Sequence, residues 1–169
     1  QQMSDVLHYL RLFTVVLMEF AYMGGRNPEK TYTWTYYESF RAMLDTLIDC
    51  VEGCAGAGVP IAVIHLSSGE NPPPITDIGR ARFDALIEAA GKHNVILAFE
   101  NQRKIANLAY VFDYYPDAPQ VRFCWDCGHE YCFTQGLHFM PLFGDKLIFT
   151  HIHDNTCEYD RDRHLIPFD

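Results

Sequence analysis

Three residues of the types that bind divalent cations stand at the ends of strand-like runs: Glu100 closes Val95 to Glu100, Asp126 closes Val121 to Asp126, and His151 lies in Leu147 to His153. Carboxylate oxygen and imidazole nitrogen together suit a borderline ion such as zinc, manganese or cobalt, and magnesium where oxygen dominates. Glu100 ends an apolar strand, where an ionised carboxylate is costly without a partner. It therefore serves as a ligand, as one half of a structural ion pair or as an exposed loop acid, and Asn101 either orients it or forms a turn.

Further candidates surround this trio. In Asp126-Cys127-Gly128-His129, the glycine permits a tight turn that returns His129 over the same site as ligand, catalytic group or substrate contact. His151 and His153 share one side of a strand because side chains alternate, so His153 is either a pocket residue or a packed histidine. Asp154 then fixes an imidazole tautomer or caps the next loop. His65 ends Val63-Ile64 before Ser67-Ser68-Gly69 and reaches the same rim as a substrate contact or additional ligand. Asp162 and His164 read as a second metal pair, a substrate clamp or a solvated charge run. Arg163 between them, with Arg103, Lys104 and Arg161, supplies the basic side chains near the rim. The Cys124 to Cys127 spacing is a competing zinc or redox motif, but no second cysteine pair completes it.

Parallel strands must position these groups. Beta-rich runs at Phe13 to Phe20, Ile61 to Leu66, Val95 to Glu100, Val121 to Asp126 and Leu147 to His153 alternate with helical patterns. The clearest helix begins near Thr35 with Glu38 completing a capping box. It carries Phe40, Met43, Leu44, Leu47, Ile48 and Val51 on one face and stops at Gly56-Ala57-Gly58. Others are predicted from Ile78 to Gly91, with Ala81, Phe83, Leu86, Ile87 and Ala90 inward, from Lys104 to Tyr114, and from Leu137 to Phe143, limited by Pro141. Near-continuously apolar strands joined by helices belong to a parallel sheet covered on both faces. Polar residues at several carboxyl-terminal strand ends favour a (β/α)8 TIM barrel over a doubly wound sheet, and no glycine-rich phosphate fingerprint follows a strand. About five of eight strands are legible, so residues 1–169 read as a single domain, a partial TIM barrel lacking the first strands and the last strand.

The 169 residues, 49% hydrophobic and 14% aromatic, suffice for a packed core and exclude a disordered chain. A net charge of −9 opposes a phosphate backbone, which makes nucleic acid an unfavourable partner and a small neutral or metal-bridged ligand a better one. No apolar run reaches the roughly 18 to 20 residues of a membrane span. Six cysteines without a secretion signal point to reduced thiols and a cytoplasmic location.

The segments Val63-Ile64-His65, Ala98-Phe99-Glu100-Asn101, Trp125-Asp126-Cys127-Gly128-His129, His151-Ile152-His153-Asp154 and Asp162-Arg163-His164-Leu165-Ile166-Pro167 resemble the sugar phosphate isomerase/epimerase superfamily. These are the xylose isomerase-like TIM barrels that include endonuclease IV-type enzymes. The resemblance implies a catalytic ion on Glu100, Asp126 and His151, with His129 at the substrate and His65, His153 and Arg163 as substrate contacts. It implies a metal-dependent isomerase or epimerase acting on a sugar or sugar phosphate by proton transfer through a metal-stabilised enediolate, with Glu100 as both ligand and proton acceptor. A fourth ligand in that family, a Glu on the last strand, has no counterpart here, so the chain is a fragment or its site is completed differently. The alternative is a multi-metal phosphoesterase in which His65, Asp162 and His164 hold additional ions. A non-catalytic ligand-binding barrel is the third reading. A homo-oligomer is one means of covering the sheet edges that an unfinished barrel exposes.

Overall fold

The computed structural model describes residues 15–17, 41–66, 72, 74–135, 137–156 and 158–168. The capping box at Thr35 and Glu38, the rest of the first strand run, and the two serines and glycine that follow Leu66 lie outside them.

Among the described residues five strands form one sheet, β1 (Val15–Leu17), β2 (Ile61–His65), β3 (Ile96–Glu100), β4 (Val121–Asp126) and β5 (Leu147–His151), paired in sequence order and all parallel. Sequential order is the winding of a barrel wall; a doubly wound sheet reverses direction at a switch point. Helices α1 (Arg41–Ala57), α2 (Asp77–His93) and α3 (Ile105–Tyr114) fill the crossovers between β1 and β4. Among the described residues, no helix is long and apolar enough to cross a membrane.

Strand alternation divides the sheet into two unequal faces. Ala62, Ile64, Leu97, Phe99, Val121 and Phe123 join Val51, Phe83, Leu86, Leu108 and Val111 in the main core. Val63, Ala98 and Cys124 form a small cluster on the other face, with Ile61 and Phe149 against it. The helix-facing side thus carries the bulk of the burial, and the inner side leads to the site.

One irregularity keeps these faces in phase. Phe123 pairs with Leu147, whereas Cys124 pairs with Phe149, so β5 holds one extra residue, Ile148. Without this bulge Asp126 would face Thr150; with it Asp126 stands opposite His151.

The helix boundaries follow local chemistry. Gly58, at φ +71, ends α1 in the left-handed region that favours glycine. Thr76 caps α2 by accepting the Gly79 amide, and the expected stop at Gly91 extends to His93, where Asn94 takes the left-handed cap. On α2 the inward stripe is Gly79, Arg82, Phe83, Leu86 and Ala90, and Ala81 is exposed. A methyl gains little from burial, whereas the arginine stem covers apolar surface while its head group finds a partner.

Two expectations about the second half need correction. Gly128 makes no tight turn: residues Cys127–Thr134 form a helix, α4, that follows β4 directly. Pro141 does not limit a helix beginning at Leu137; it stands in the first turn of a short helix, α5 (Met140–Phe143), where its missing N–H costs nothing.

Candidate metal centre

His65, Glu100, Asp126 and His151 are the last residues of β2, β3, β4 and β5. Parallel pairing sets His65 beside Glu100 and Asp126 beside His151. Four neighbouring strands therefore deliver two carboxylates and two imidazoles to one rim, as the strand-end pattern predicted.

Glu100 is 1% exposed and accepts from three imidazoles: His65 Nε2 at 2.7 Å, His151 Nδ1 at 3.0 Å and His129 Nδ1 at 3.1 Å. Burial alone would raise its pKa; the hydrogen bonds from His129, His151 and His65 outweigh it and hold Glu100 well below the ordinary carboxylate range. Asp126, fully buried, is contacted by His151 Nδ1 at 3.4 Å and by His153 Nε2 at 3.2 Å.

Helix α4 supplies His129. The Asp126 side chain caps that helix by accepting the His129 amide at 2.7 Å, so one carboxylate both faces the site and fixes where His129 begins its turn. His129 Nδ1 faces Glu100 and the Asn101 carbonyl and also meets the Gln102 side-chain amide at 3.1 Å, while Nε2 faces Asp162 Oδ2 at 3.3 Å. Burial works against its charge, but bonds to Asp162 and Glu100 push the pKa up to about 10. Bonds to Asp126, Cys124 and Glu100 push His151 up to about 12, with burial opposing.

The chain beyond β5 folds back through an antiparallel bridge between Asp154 and Leu165. It brings in Asp162, which accepts from His164 Nε2 at 2.8 Å, and His164 stacks on His153 with centroids 3.9 Å apart. Burial would raise the Asp162 pKa, yet His129 draws it down to about 2. Asn155 Nδ2 donates to Asp162 and faces His153 Nδ1, which leaves His153 Nε2 to donate to Asp126. A Cβ on Gly128 would lie 2.1 Å from His153, 2.5 Å from Asn155 and 2.7 Å from Asp162. Glycine is needed here for close approach of that loop to the start of α4.

Several expectations resolve differently. Arg163 is not brought in: its amide is tied to Asn155 and its side chain points at Glu158, whereas its neighbours Asp162 and His164 line the cleft. Asn101 does not orient Glu100 but clamps β3 to β4, exchanging hydrogen bonds with the Asp126 backbone at 2.7 and 2.9 Å. Asp154 is exposed and accepts the Asn155 amide, which is the loop-capping role. Arg103 stacks over Phe133 and pairs with Asp160, and Lys104 bonds the Pro72 carbonyl, so neither enters the cleft. Cys124 and Cys127 do not act as a pair: Cys127 bonds the His153 backbone, and Cys124 lies on the inner face. Asn155 carried no signal in the sequence. The inward thiol of Cys124 did, since it is two residues before Asp126 and so shares its face.

The donors lie close enough for an ion. One oxygen each from Glu100 and Asp126 with a His129 nitrogen, or the Glu100, Cys124 and His151 donors, or those of His129, Asp162 and His164, each fall within 4.8 Å of one another. With His151 touching both carboxylates, the donor set fits a borderline divalent cation. The cluster floors a cleft of about 770 Å³, whose apolar wall includes Phe149, Ile152 and Leu165.

Similarity to known proteins agrees with the fold. The uncharacterized protein y4fM of Sinorhizobium fredii (strain NBRC 101917 / NGR234) is 30% identical over 140 residues, 75% of this chain and 44% of its own length. The TTHB071 protein from Thermus thermophilus, in a structure soaked with ZnCl2, superposes with a TM-score of 0.59 at 19% identity over 93% of this chain and 65% of that one. A D-allulose 3-epimerase from a Methylomonas species, in complex with D-allulose, gives 0.58 at 18% identity over 73% and 49%. The chain thus spans about half the length of these relatives, up to about two thirds. Residues 13–169 match the family described as xylose isomerase-like TIM barrel, and the chain belongs to that family.

Proposed function

We propose that Glu100, Asp126 and His151 hold one divalent ion, zinc, manganese, cobalt or magnesium, in a cytoplasmic isomerase or epimerase of a sugar or sugar phosphate, with residues 1–169 forming a single domain, a partial TIM barrel. The observation that carries this reading is the Glu100 carboxylate, buried among three imidazoles at the floor of a cleft. A carboxylate kept ionised at the cleft floor offers its oxygens to a cation, and only when the imidazoles turn to an ion or substrate would its pKa rise toward that of a proton acceptor.

When bound, a divalent ion supplies Lewis-acid stabilisation of charge developing on substrate oxygens. Glu100 accepts the proton from the carbon that exchanges it. His65 holds the second Glu100 oxygen and fixes the carboxylate plane. His129, suspended between Glu100 and Asp162, keeps a proton at the cleft surface for a substrate oxygen. Phe149, Ile152 and Leu165 restrict water on one side, and His153 secures Asp126.

The convergence of His129, Asp162 and His164 donors favours a second reading, phosphoester hydrolysis with additional ions, to which His65 would contribute. Metal content decides between them. One ion per chain, with exchange of a ketose C–H in deuterated water that disappears in Glu100→Gln, supports isomerisation. Two or three ions with phosphate release support hydrolysis, and retention of normal exchange and metal by Glu100→Gln refutes the role given to Glu100.

A further inference from the structure

The inner face carries one donor that neither reading uses. Cys124 is fully buried, two residues before Asp126 on the same side of β4, and its strand neighbours are Glu100 on β3 and Phe149, two before His151, on β5. Its sulfur lies within 4.8 Å of donor atoms of both Glu100 and His151. We propose that Cys124 Sγ is a direct ligand of an ion it shares with Glu100 and His151, giving an oxygen, nitrogen and sulfur set that selects zinc or cobalt over manganese and magnesium. This rests on the metal reading above.

The geometry is close to what such a site needs. The three donor atoms lie within 4.8 Å of one another. Bonds of about 2.0 to 2.3 Å in a tetrahedral site put donors roughly 3.3 to 3.8 Å apart, so a contraction of at most about 1 to 1.5 Å suffices. Binding transfers a sulfur lone pair to the ion and releases the thiol proton to solvent. The donors also have the right softness, because thiolate favours zinc and cobalt whereas carboxylate and water favour magnesium and manganese. The bulge at Ile148 contributes directly: it sets Phe149 opposite Cys124 and thereby brings His151 to the inner face above it. A cysteine merely packed with Val63 and Ala98 would need the volume but not the nearness to the Glu100 and His151 donors.

Cobalt(II) added alone to the purified chain is the test. The expected result is a sulfur-to-cobalt charge-transfer band in the near ultraviolet that is lost in Cys124→Ala and kept in Cys127→Ser, with visible cobalt bands persisting in both. X-ray absorption on the zinc-loaded wild type needs no substitution and should show one sulfur at about 2.3 Å. Visible cobalt bands without charge transfer, a band that survives Cys124→Ala, or a zinc shell of only nitrogen and oxygen overturns the cysteine ligand and leaves the Glu100 and His151 site standing. Failure of the wild type to bind either ion overturns both.

Discussion

Glu100 at the end of β3 and Glu130 on α4 each accept from three side-chain or backbone donors, yet the two neighbourhoods are built for different ends. Glu130 takes the indole N–H of Trp125 at 2.8 Å, the amide of Phe139 at 2.9 Å and His138 Nδ1 at 3.0 Å. The first two can only donate, so that carboxylate is a fixed clamp between β4, α4 and the start of α5. The polar side chains that contact the Glu100 carboxylate at 2.7 to 3.1 Å among the described residues are all imidazoles. An imidazole that donates in one protonation state offers a lone pair in another, so the same ring can release the carboxylate and turn to a cation or a substrate. Three hydrogen bonds stabilise structure in one place and stay convertible in the other.

Substitution of the two carboxylates should separate these roles. Glu100→Gln is expected to lower substrate C–H exchange by roughly 10²- to 10⁴-fold, the range for a positioned proton acceptor, and to weaken zinc binding measured by calorimetry. Glu130→Ala should leave zinc binding unchanged. Equal loss of metal in both would break the distinction.

Gly128→Ala comes next. Its Cβ would press on His153, Asn155 and Asp162, and relieving contacts that short costs about 1 to 3 kcal/mol. The shift should fall on the loop, so the Asp162 and His164 pair should lose any second ion while the ion at Glu100 stays. Metal counting against denaturant unfolding reads both effects.

Glu130→Ala leaves the Trp125 and Phe139 donors unmet and should destabilise by about 1 to 3 kcal/mol in urea unfolding. Burial would raise the Glu130 pKa, but His138, the Phe139 amide and Trp125 lower it below its ordinary value of 4.5. A carboxylate depressed in the folded state contributes stability that is complete above its unfolded pKa and is lost as pH falls through the folded one. The melting temperature of the wild type should therefore drop below pH 4.5 more steeply than that of Glu130→Ala.

The same contrast explains what the sequence disclosed. Glu100, Asp126 and His151 were legible because each ends an apolar run, and strand alternation converts such a position into an inward one. Helix α4 was not: Gly128 suggests a turn, and only its approach to His153 and Asp162 across the fold shows why glycine stands within a helix. Arg163 was misplaced for a related reason, since a charge run gives no sign of which residues face inward until the bridge between Asp154 and Leu165 fixes the loop. The Glu130 clamp joins three separate segments and has no spacing that marks it. Local pattern reveals strand ends, whereas contacts made by returning loops require the assembled chain.

The smallest expected effect bears most directly on the clamp. His138 is 73% exposed, so its bond to Glu130 competes with water and should be worth about 0 to 1 kcal/mol. The Phe139 amide is held against a fully buried side chain, and the Trp125 indole sits in the partly buried end of β4. His138→Ala should accordingly change unfolding free energy much less than Trp125→Phe, which removes the indole donor and leaves a Glu130 oxygen short of one bond. If the two cost the same, the imidazole holds Glu130 as firmly as the indole does, and the division between fixed and convertible donors would not account for the difference between the two carboxylates. A small effect at His138 beside a large loss of exchange in His65→Ala would place the functional weight of histidine where the carboxylate is buried and has no other kind of donor.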